Sequence, residues 1–383
     1  MNKKTVLIIY PYFYPGFKAG GPIQSLINMI EALQDSFKFK VLTTAHDLNE
    51  PQPYANVLVD QWTPVTVGKS GKILVWYNAT LQIGIRKLRK LVVQSKADTI
   101  FVNGLFTKWS FLPLLLFHSK SIGHCRMIIS PRGMLQDGAL KSGALKKRVY
   151  LAALKLAGLY NGIIWHATSS AEKSDVTEKT GMSTVIVAEN IPKSPIEIMN
   201  VPIKRVGELR LVYLSLITEK KNLKVALDSL STIEGKIFLD IFGPIKDLDY
   251  WKKCLTTMQQ LPNHIQVTYR GEVKPHNVQS TIEQYHALIS LTKGENFGHA
   301  LFESLSVGRP LITSHFTPWN NLEFNRAGWN IDISNSHMVS STLQKIVDID
   351  QKVWDEICVG AWNLSKSYFA NASFQKQYQE LFG

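Results

Sequence analysis

The sequence predicts an α/β chain of two doubly wound domains, each built on a mainly parallel sheet. Its 383 residues are enough for two cores of ordinary domain size. Short, uninterrupted runs of Val, Ile and Leu alternate with longer mixed segments, which is typical of parallel strands covered by helices on both faces. A proline-containing stretch at 189–201 interrupts this alternation at mid-chain and predicts a linker. Residues 1–195 and 203–364 are the two predicted domains.

Each buried run predicts one strand. In the first domain these runs are 5–10, 39–43, 73–76, 99–102, 126–130, 163–166 and 184–187. In the second domain they are 209–214, 236–242, 265–269, 287–291 and 310–313. Apolar residues between the first two runs share one face of a predicted helix over 23–33. In such folds ligands bind beyond the carboxyl ends of the strands, so the loops that follow strands are the candidate sites.

The composition is that of a globular protein, with 45% hydrophobic and 19% charged residues. The longest apolar run, 111–117, is far shorter than the roughly 20 residues that cross a bilayer. We interpret the apolar residues 6–10 as a first strand rather than a signal peptide. The three cysteines, Cys125, Cys254 and Cys358, form no disulfide or zinc pattern, which favours a reducing cytoplasm.

Positive charge is concentrated in the first half of the chain. Residues 60–160 contain 16 Lys and Arg against 3 Asp and Glu, while residues 201–383 contain 19 against 18. A basic face attracts phosphate, nucleic acid or an acidic membrane, although surplus surface lysine remains an alternative. Residues 139–160 combine leucines with Lys146, Lys147 and Arg148, which predicts a basic amphipathic helix that lies either on a membrane or against the core.

The most informative segment is 294–303, between a predicted strand and the helix that follows it. Gly298 at the helix start allows a ligand to approach the backbone closely, and a helix N-terminus favours an anion such as a diphosphate. Glu303, one turn inside the helix, is placed to accept hydrogen bonds from a diol such as ribose. Glu295, in the loop, is placed to accept hydrogen bonds from sugar hydroxyls.

This Glu-x7-Glu pattern resembles the signature of retaining family 4 glycosyltransferases. The similarity extends through 308–314 and 317–319, which resemble a bacterial branch that builds O-antigens and capsules. The resemblance implies the GT-B fold, with two Rossmann-like domains facing a central cleft, and a helix over 365–383 that packs back on the first domain. It also implies an EC 2.4 hexosyltransferase-type enzyme that needs no cofactor.

The resemblance assigns donor-binding roles in the second domain. Glu303 matches the ribose-binding residue and Glu295 the residue that contacts the donor sugar. Asn296, Phe297 and Gly298 match the loop whose amides hold phosphate and sugar. Lys221 matches the diphosphate-binding lysine. The family usually has an arginine five residues earlier, where this chain has Leu216. Lys293, Arg309 and Arg132 are the candidate replacements.

Two loops of the first domain are further candidates. Gly20 and Gly21 precede the predicted helix 23–33, where a simple turn and a phosphate-binding loop are both possible from sequence alone. The resemblance places this loop at the donor diphosphate. Arg132 follows strand 126–130 at the position where many family members have a histidine. We predict a catalytic role for Glu295 and Arg132, with the guanidinium binding phosphate.

No metal site is predicted. Asp247 and Asp249, like Asp348 and Asp350, form an Asp-x-Asp pattern, but neither pattern ends a strand, and helix capping or surface exposure is the favoured interpretation. His166 and His299 have no second imidazole or cysteine at ligand spacing.

The sequence therefore predicts transfer of a sugar, with retention, from a UDP- or GDP-sugar to a saccharide acceptor. The basic first domain suggests a polyprenyl-diphosphate-linked acceptor and a peripheral position at the inner face of the plasma membrane. Alternatives are an epimerase or phosphorylase of the same fold, or a basic nucleic-acid-binding protein. The last lacks a recognisable binding module, so no nucleic-acid partner is predicted.

Overall fold

The computed structural model describes residues 3–68, 71–141 and 144–383, which form two compact units. Unit 1 comprises Met1–Ile191 and Ser373–Gly383, and unit 2 comprises Pro192–Ala372. The first segment of unit 1 ends at Ile191, four residues before the predicted end of the first domain at residue 195. The chain returns to unit 1 at Ser373 rather than at residue 365, because Gln351–Asn371 is one uninterrupted helix of unit 2.

Unit 1 contains an eight-stranded sheet. Its strands are β1 (Lys4–Ile9), β2 (Phe37–Thr44), β3 (Trp62–Val67), β4 (Gly71–Asn78), β5 (Thr99–Asn103), β6 (Arg126–Ser130), β7 (Ile163–Ala167) and β8 (Val185–Val187). Its helices are α1 (Gly21–Leu33), α2 (Ile85–Ser95), α3 (Lys108–His118), α4 (Asp137–Lys141), α5 (Ala144–Leu156), α6 (Ser170–Thr180) and α13 (Phe374–Phe382). The predicted helix over 139–160 is thus α4 and α5, and residues 142–143 between them lie outside the described residues.

The strand order in unit 1 is β3-β4-β2-β1-β5-β6-β7-β8, and every pairing is parallel except β3 with β4. All seven predicted strands of this domain are confirmed, whereas β3 is an addition. Helices α2, α3 and α5 contribute Leu88, Trp109 and Leu151 to one buried cluster with the central strands. The ring of Phe382 in α13 lies 5.5 Å from those of Phe37 and Phe101, so α13 completes the core of unit 1.

Unit 2 contains a six-stranded, fully parallel sheet in the order β11-β10-β9-β12-β13-β14. Its strands are β9 (Glu208–Leu214), β10 (Lys236–Phe242), β11 (Ile265–Gly271), β12 (Ala287–Ser290), β13 (Leu311–Ser314) and β14 (Gly328–Ile331). Its helices are α7 (Leu223–Leu230), α8 (Leu248–Gln259), α9 (Val278–Ile282), α10 (His299–Ser306), α11 (Ser336–Val347) and α12 (Gln351–Asn371).

The five predicted strands of the second domain are confirmed, and β14 is an addition. Each unit is therefore the predicted doubly wound α/β layer arrangement, with the loops after β9, β12 and β13 at one edge of the unit 2 sheet. Within the described residues, no helix is both long enough and apolar enough to cross a membrane.

Candidate functional site

The loop between β12 and α10 is fixed to its neighbours by backbone hydrogen bonds. The N–H of Glu295 donates to the carbonyl of Phe316, which follows β13, over 2.9 Å. The N–H of Lys293 donates to the carbonyl of Lys220, which follows β9, also over 2.9 Å. Because these segments follow adjacent strands, the loop is held at the carboxyl edge of the sheet, where ligands bind in open α/β sheets.

Gly298 ends this loop and caps α10 in a left-handed conformation, with φ of 77°. The backbone angle favours glycine, and a Cβ atom at this position would lie 2.7 Å from Cδ1 of Leu301, so a larger residue would also displace that side chain. The close approach of a ligand to the backbone at Gly298 stays a prediction.

An aromatic cluster that includes Phe297 packs against Trp319 and Tyr368 and fixes the loop. The Phe297 ring is buried, with its centroid 5.5 Å from the Trp319 ring and 6.0 Å from the Tyr368 ring. The indole Nε1 of Trp319 donates to the carbonyl of Phe297 over 2.7 Å. Phe297 therefore anchors the loop through its side chain. The backbone N–H of Asn296 within this loop donates to Oε1 of Glu295 over 3.0 Å, so the loop also positions that carboxylate.

Lys221 and Glu295 form an ion pair. Lys221 lies in the 3-10 turn Glu219–Lys221 after β9, and its Nζ donates to Oε2 of Glu295. Burial alone would raise the pKa of Glu295, but the Lys221 charge and its hydrogen bond, together with the N–H of Asn296, lower it below its ordinary value. Glu295 is therefore a carboxylate at neutral pH, and it partly neutralises the predicted diphosphate-binding cation.

Glu303 has a different environment. Its side chain lies on α10 one turn after His299 and is only 5% exposed. Burial raises its pKa to about 7, opposed only by the positive charge of Lys193. Among the described residues, none makes a hydrogen bond to the Glu303 carboxyl group. A buried carboxyl group of this kind is suited to accept hydrogen bonds from a ligand's hydroxyls.

One candidate replacement for the cation missing at Leu216 is wrong. The guanidinium of Arg309 is 1% exposed and donates to the carbonyls of Glu283 and Asn200, among others. Arg309 therefore satisfies buried backbone acceptors and cannot reach a ligand. Lys293 is about half exposed, and its Nζ lies 3.1 Å from Oε1 of Glu219. Lys293 lies next to the loop between β12 and α10, and it remains a candidate for the cation missing at Leu216.

In unit 1, the glycine-rich loop is held by Asp47, which follows β2. The carboxylate of Asp47 accepts hydrogen bonds from the backbone N–H groups of Phe17 (2.8 Å) and Lys18 (3.1 Å). Gly20 caps α1 with φ of 75°, and Gly21 is the first residue of that helix. No atom lies within 4 Å of a Cβ built on Gly20, so the backbone at this point is open to a ligand.

Arg132 lies beyond β6 with φ of 55° and is held by two asparagines that sequence reasoning missed. Its Nε donates to Oδ1 of Asn103 over 2.6 Å, and its Nη1 donates to Oδ1 of Asn190. Asn190 also accepts a hydrogen bond from Ser25 of α1. The Nη2 of Arg132 is buried without a hydrogen-bond partner among the described residues. Both hydrogen-bond partners are neutral amides, so among the described residues no carboxylate is hydrogen-bonded to the guanidinium.

The two Asp-x-Asp patterns are used in helix capping. Asp247 accepts from the N–H of Tyr250 at the start of α8, and Asp350 accepts from that of Val353 at the start of α12. Asp348 and Asp350 therefore lie between α11 and α12. Within the described residues, no group of three His, Cys, Asp or Glu side chains is arranged to hold a metal ion.

The structure thus gathers the predicted residues at two sheet edges. Lys221, Glu295 and Glu303 lie in or beside the loops of unit 2, together with the 296–298 backbone. Gly20, Gly21 and Arg132 follow strands of unit 1. The Lys221–Glu295 pair and the asparagines around Arg132 have no signal in the sequence, because their members are far apart along the chain.

Residues 196–352 match the family model described as glycosyl transferases group 1. This segment covers most of unit 2 and contains Lys221, Glu295 and Glu303. In sequence, no curated protein matches the chain significantly.

Solved structures are similar over nearly the whole chain. HepE of Anabaena, solved in complex with UDP and glucose, has a TM-score of 0.72 at 15% identity, over 99% of each chain. Sucrose-phosphate synthase of Thermosynechococcus elongatus has a TM-score of 0.72 at 13% identity, over 99% of this chain and 98% of that one. The lipopolysaccharide outer core galactosyltransferase WaaB has a TM-score of 0.62 at 17% identity, over 98% of each chain. The chain therefore has the GT-B fold, and its second unit matches the group 1 glycosyl transferases.

Proposed function

We propose that this chain is a retaining hexosyltransferase that moves a sugar from a UDP- or GDP-sugar to a lipid-linked saccharide in the synthesis of a bacterial O-antigen or capsule. The observation that carries the proposal is the placement of Glu303 and the Lys221–Glu295 pair at one sheet edge, inside the segment that matches group 1. The solved complexes of HepE with UDP-glucose and UDP support a nucleotide-sugar donor. The similarity to WaaB, a lipopolysaccharide outer core galactosyltransferase, supports a role in the synthesis of a bacterial surface polysaccharide.

Each residue of the candidate site has a separate role in the proposed transfer. Glu303 accepts hydrogen bonds from the ribose diol, and Glu295 accepts from hydroxyls of the donor sugar. Charge develops on the departing diphosphate as its bond to the sugar breaks. Lys221 and the backbone N–H groups of the 296–298 loop stabilise that charge. In unit 1, the Arg132 guanidinium binds a phosphate group. Such stabilisation by fixed donors is commonly the largest single contribution to catalysis.

A donor screen tests this function. Calorimetry with UDP- and GDP-sugars, followed by incubation with a polyprenyl-diphosphate saccharide, should give binding of one donor class and a glycosylated product. NMR of the new linkage should show the anomeric configuration of the donor. Absence of nucleotide-sugar binding contradicts the glycosyltransferase assignment, and an inverted linkage contradicts retention alone. Epimerised or phosphorylated sugar as the product would favour the alternative enzymes.

We also propose that unit 1 docks on an anionic membrane through α5. Leu145, Val149 and Leu156 are 77%, 59% and 89% exposed, and together with exposed Ala152 they form one stripe along the helix. Exposed Lys146 and Arg148 flank this stripe. A solvent-facing apolar stripe flanked by cations is typical of helices that lie in a membrane interface.

Lys147 does not belong to this surface. Its Nζ donates to the carbonyl of Ala139 over 2.6 Å and lies 5.4 Å from the centroid of the Phe106 ring. A vesicle test therefore uses Lys146→Ser with Arg148→Ser, and compares them with Lys252→Ser and Lys253→Ser on α8 of unit 2. The first pair should weaken binding to acidic vesicles by about 2 kcal/mol at low salt, and the second pair should not. Equal effects of the two pairs, or no vesicle binding by the wild-type protein, would contradict docking through α5.

A further inference from the structure

Unit 1 contains a cavity of about 790 Å³ beyond the carboxyl ends of β1, β2 and β4. Its lining includes the aromatic residues Tyr14, Phe17, Tyr54 and Tyr77, together with residues 55–58 and residues 63–66 of β3. This volume lies in the range of small-molecule sites, which are mostly apolar with a few placed polar groups. The strand β3, which the sequence does not reveal, thus contributes a wall of a site-sized cavity.

Two of the three phenol groups that line this cavity are hydrogen-bonded to the protein. The hydroxyl of Tyr77 donates to the carbonyl of Tyr14 over 2.7 Å, and that of Tyr54 donates to the carbonyl of Phe13 over 3.3 Å. These two hydroxyls fix the loop after β1. Tyr77 is only 1% exposed, so the accessible aromatic surface comes from Tyr14, Phe17 and Tyr54. The Tyr14 ring is 41% exposed and presents the most accessible aromatic surface of the four.

The charged groups of the cavity are held by one another and by the backbone. Asp47 accepts from the backbone amides of Phe17 and Lys18, and the Nζ of Lys18 lies 2.5 Å from Oε1 of Glu50. Two carboxylates and one ammonium leave a net charge of −1 in the lining, in contrast to the basic character of residues 60–160. A phosphate or carboxylate ligand would be repelled here.

We propose that this cavity binds an uncharged sugar residue of the saccharide acceptor. The proposal rests on the proposed function and names the acceptor group that unit 1 recognises. A sugar ring has apolar C–H faces that pack on aromatic rings and a rim of hydroxyls that suits Asn56, Thr63 and Thr66. The negative lining selects a neutral sugar over a uronic acid. The phosphates of a lipid-linked acceptor then lie outside this cavity.

Saturation-transfer NMR on the full chain tests the proposal. The probes are methyl glycosides of glucose, galactose, mannose and N-acetylglucosamine, with glucuronate and galacturonate at the same concentrations. Tyr14→Leu removes the aromatic face, whereas the matched control Tyr14→Phe keeps it. We expect a neutral glycoside to bind the wild-type protein and Tyr14→Phe alike, and Tyr14→Leu about tenfold more weakly. Uronates should bind several-fold more weakly than their neutral counterparts at low salt.

Three outcomes would overturn the proposal: saturation transfer to no neutral glycoside, equal binding by Tyr14→Leu and Tyr14→Phe, or uronates that bind as tightly as neutral sugars. Thermal unfolding of both variants shows whether the fold is kept, and crystals of the wild-type protein soaked with the best glycoside give a second measurement if Tyr14→Leu unfolds. Nucleotide-sugar binding by the wild-type protein is measured separately. Loss of donor binding would count against the proposed function, and loss of glycoside binding alone would count against the cavity.

Discussion

The ammonium of Lys221 is bound to the carboxylate of Glu295, a residue 74 positions later in the sequence. Both groups are only partly exposed, at 18% and 23% of their side chains. The Lys221 ammonium has two further N–H donors for a diphosphate, but its charge is already partly neutralised by the carboxylate. Under the proposed function, Glu295 therefore competes with the diphosphate for Lys221, and its carboxylate also accepts from the sugar hydroxyls.

Replacing Glu295 by Gln should separate nucleotide binding from sugar transfer. The change frees Lys221 and removes a negative charge near the diphosphate, so UDP or GDP should bind about fivefold more tightly, a gain of about 1 kcal/mol. Transfer should fall because the sugar loses a charged acceptor. Calorimetry with the free nucleotide and a transfer assay measure the two effects. Weaker nucleotide binding by Glu295→Gln would contradict the competition between carboxylate and diphosphate.

Donor affinity should depend on pH through Glu303. Its pKa of about 7 means that the carboxyl group is largely protonated below neutrality and then accepts fewer hydrogen bonds from the ribose diol. The association constant should rise about tenfold between about pH 6 and about pH 8. A nucleotide-sugar is the right probe, since its diphosphate does not titrate in this range. Glu303→Gln should bind more weakly, with a flat profile, and a wild-type profile as flat as that of the variant would contradict the role of Glu303.

The same carboxyl group should affect stability. Between its ordinary pKa near 4.5 and its folded value of about 7, the folded state keeps a proton that the unfolded state has lost. Stability contributed by this group is therefore lost as pH rises through that window, by up to about 3 kcal/mol. Urea unfolding should show that the free energy of unfolding of Glu303→Gln rises, relative to that of the wild-type protein, between about pH 5 and about pH 8. A constant difference across this range would refute the raised pKa.

Arg309 should contribute to the stability of the folded protein and not to the binding of the donor. Arg309→Leu leaves several buried carbonyls without donors, which should cost about 3 kcal/mol in the free energy of unfolding. Arg326→Leu is a matched control, because the Arg326 side chain is 67% exposed and pairs with Glu356 on the surface. Denaturation of the two variants measures the difference. If Arg309→Leu is as stable as the control but loses nucleotide affinity, Arg309 is a phosphate ligand after all.

Transfer should continue in excess EDTA. In the proposed site, Lys221 and the loop amides supply the positive charge that a divalent ion would otherwise bring to the diphosphate. A transfer assay with and without EDTA measures this directly. Complete loss of transfer, restored by manganese or magnesium, would mean that the donor enters with a metal ion.

Local patterns in the sequence predict most of the fold, because the buried parallel strands are continuous apolar runs. The exceptions are short or lie at a sheet edge. β3 contains Pro64 and alternates in burial, and β14 has four residues and begins at Gly328. Such segments gain stability from their pairing partners, which the local sequence does not show.

The candidate site is predictable only where its residues lie close together in the sequence. The segment 294–303 brings a loop, a glycine cap and a helix together within ten residues, so its placement follows from local rules. The Lys221–Glu295 pair and the Arg132–Asn190 contact join distant segments through the topology of each sheet. Arg309 shows the converse error, since a basic residue beside a motif resembles a ligand-binding group until its burial is known.

The position of α13 makes the core of unit 1 depend on the last residues of the sequence. Residues 373–383 are translated after the whole of unit 2, yet Tyr378, Leu381 and Phe382 are buried in the core of unit 1. On the ribosome, unit 1 emerges first but cannot close its core until those residues appear, so its apolar surface is exposed throughout synthesis of unit 2. The nascent chain is therefore a natural client for chaperones that cover such surfaces.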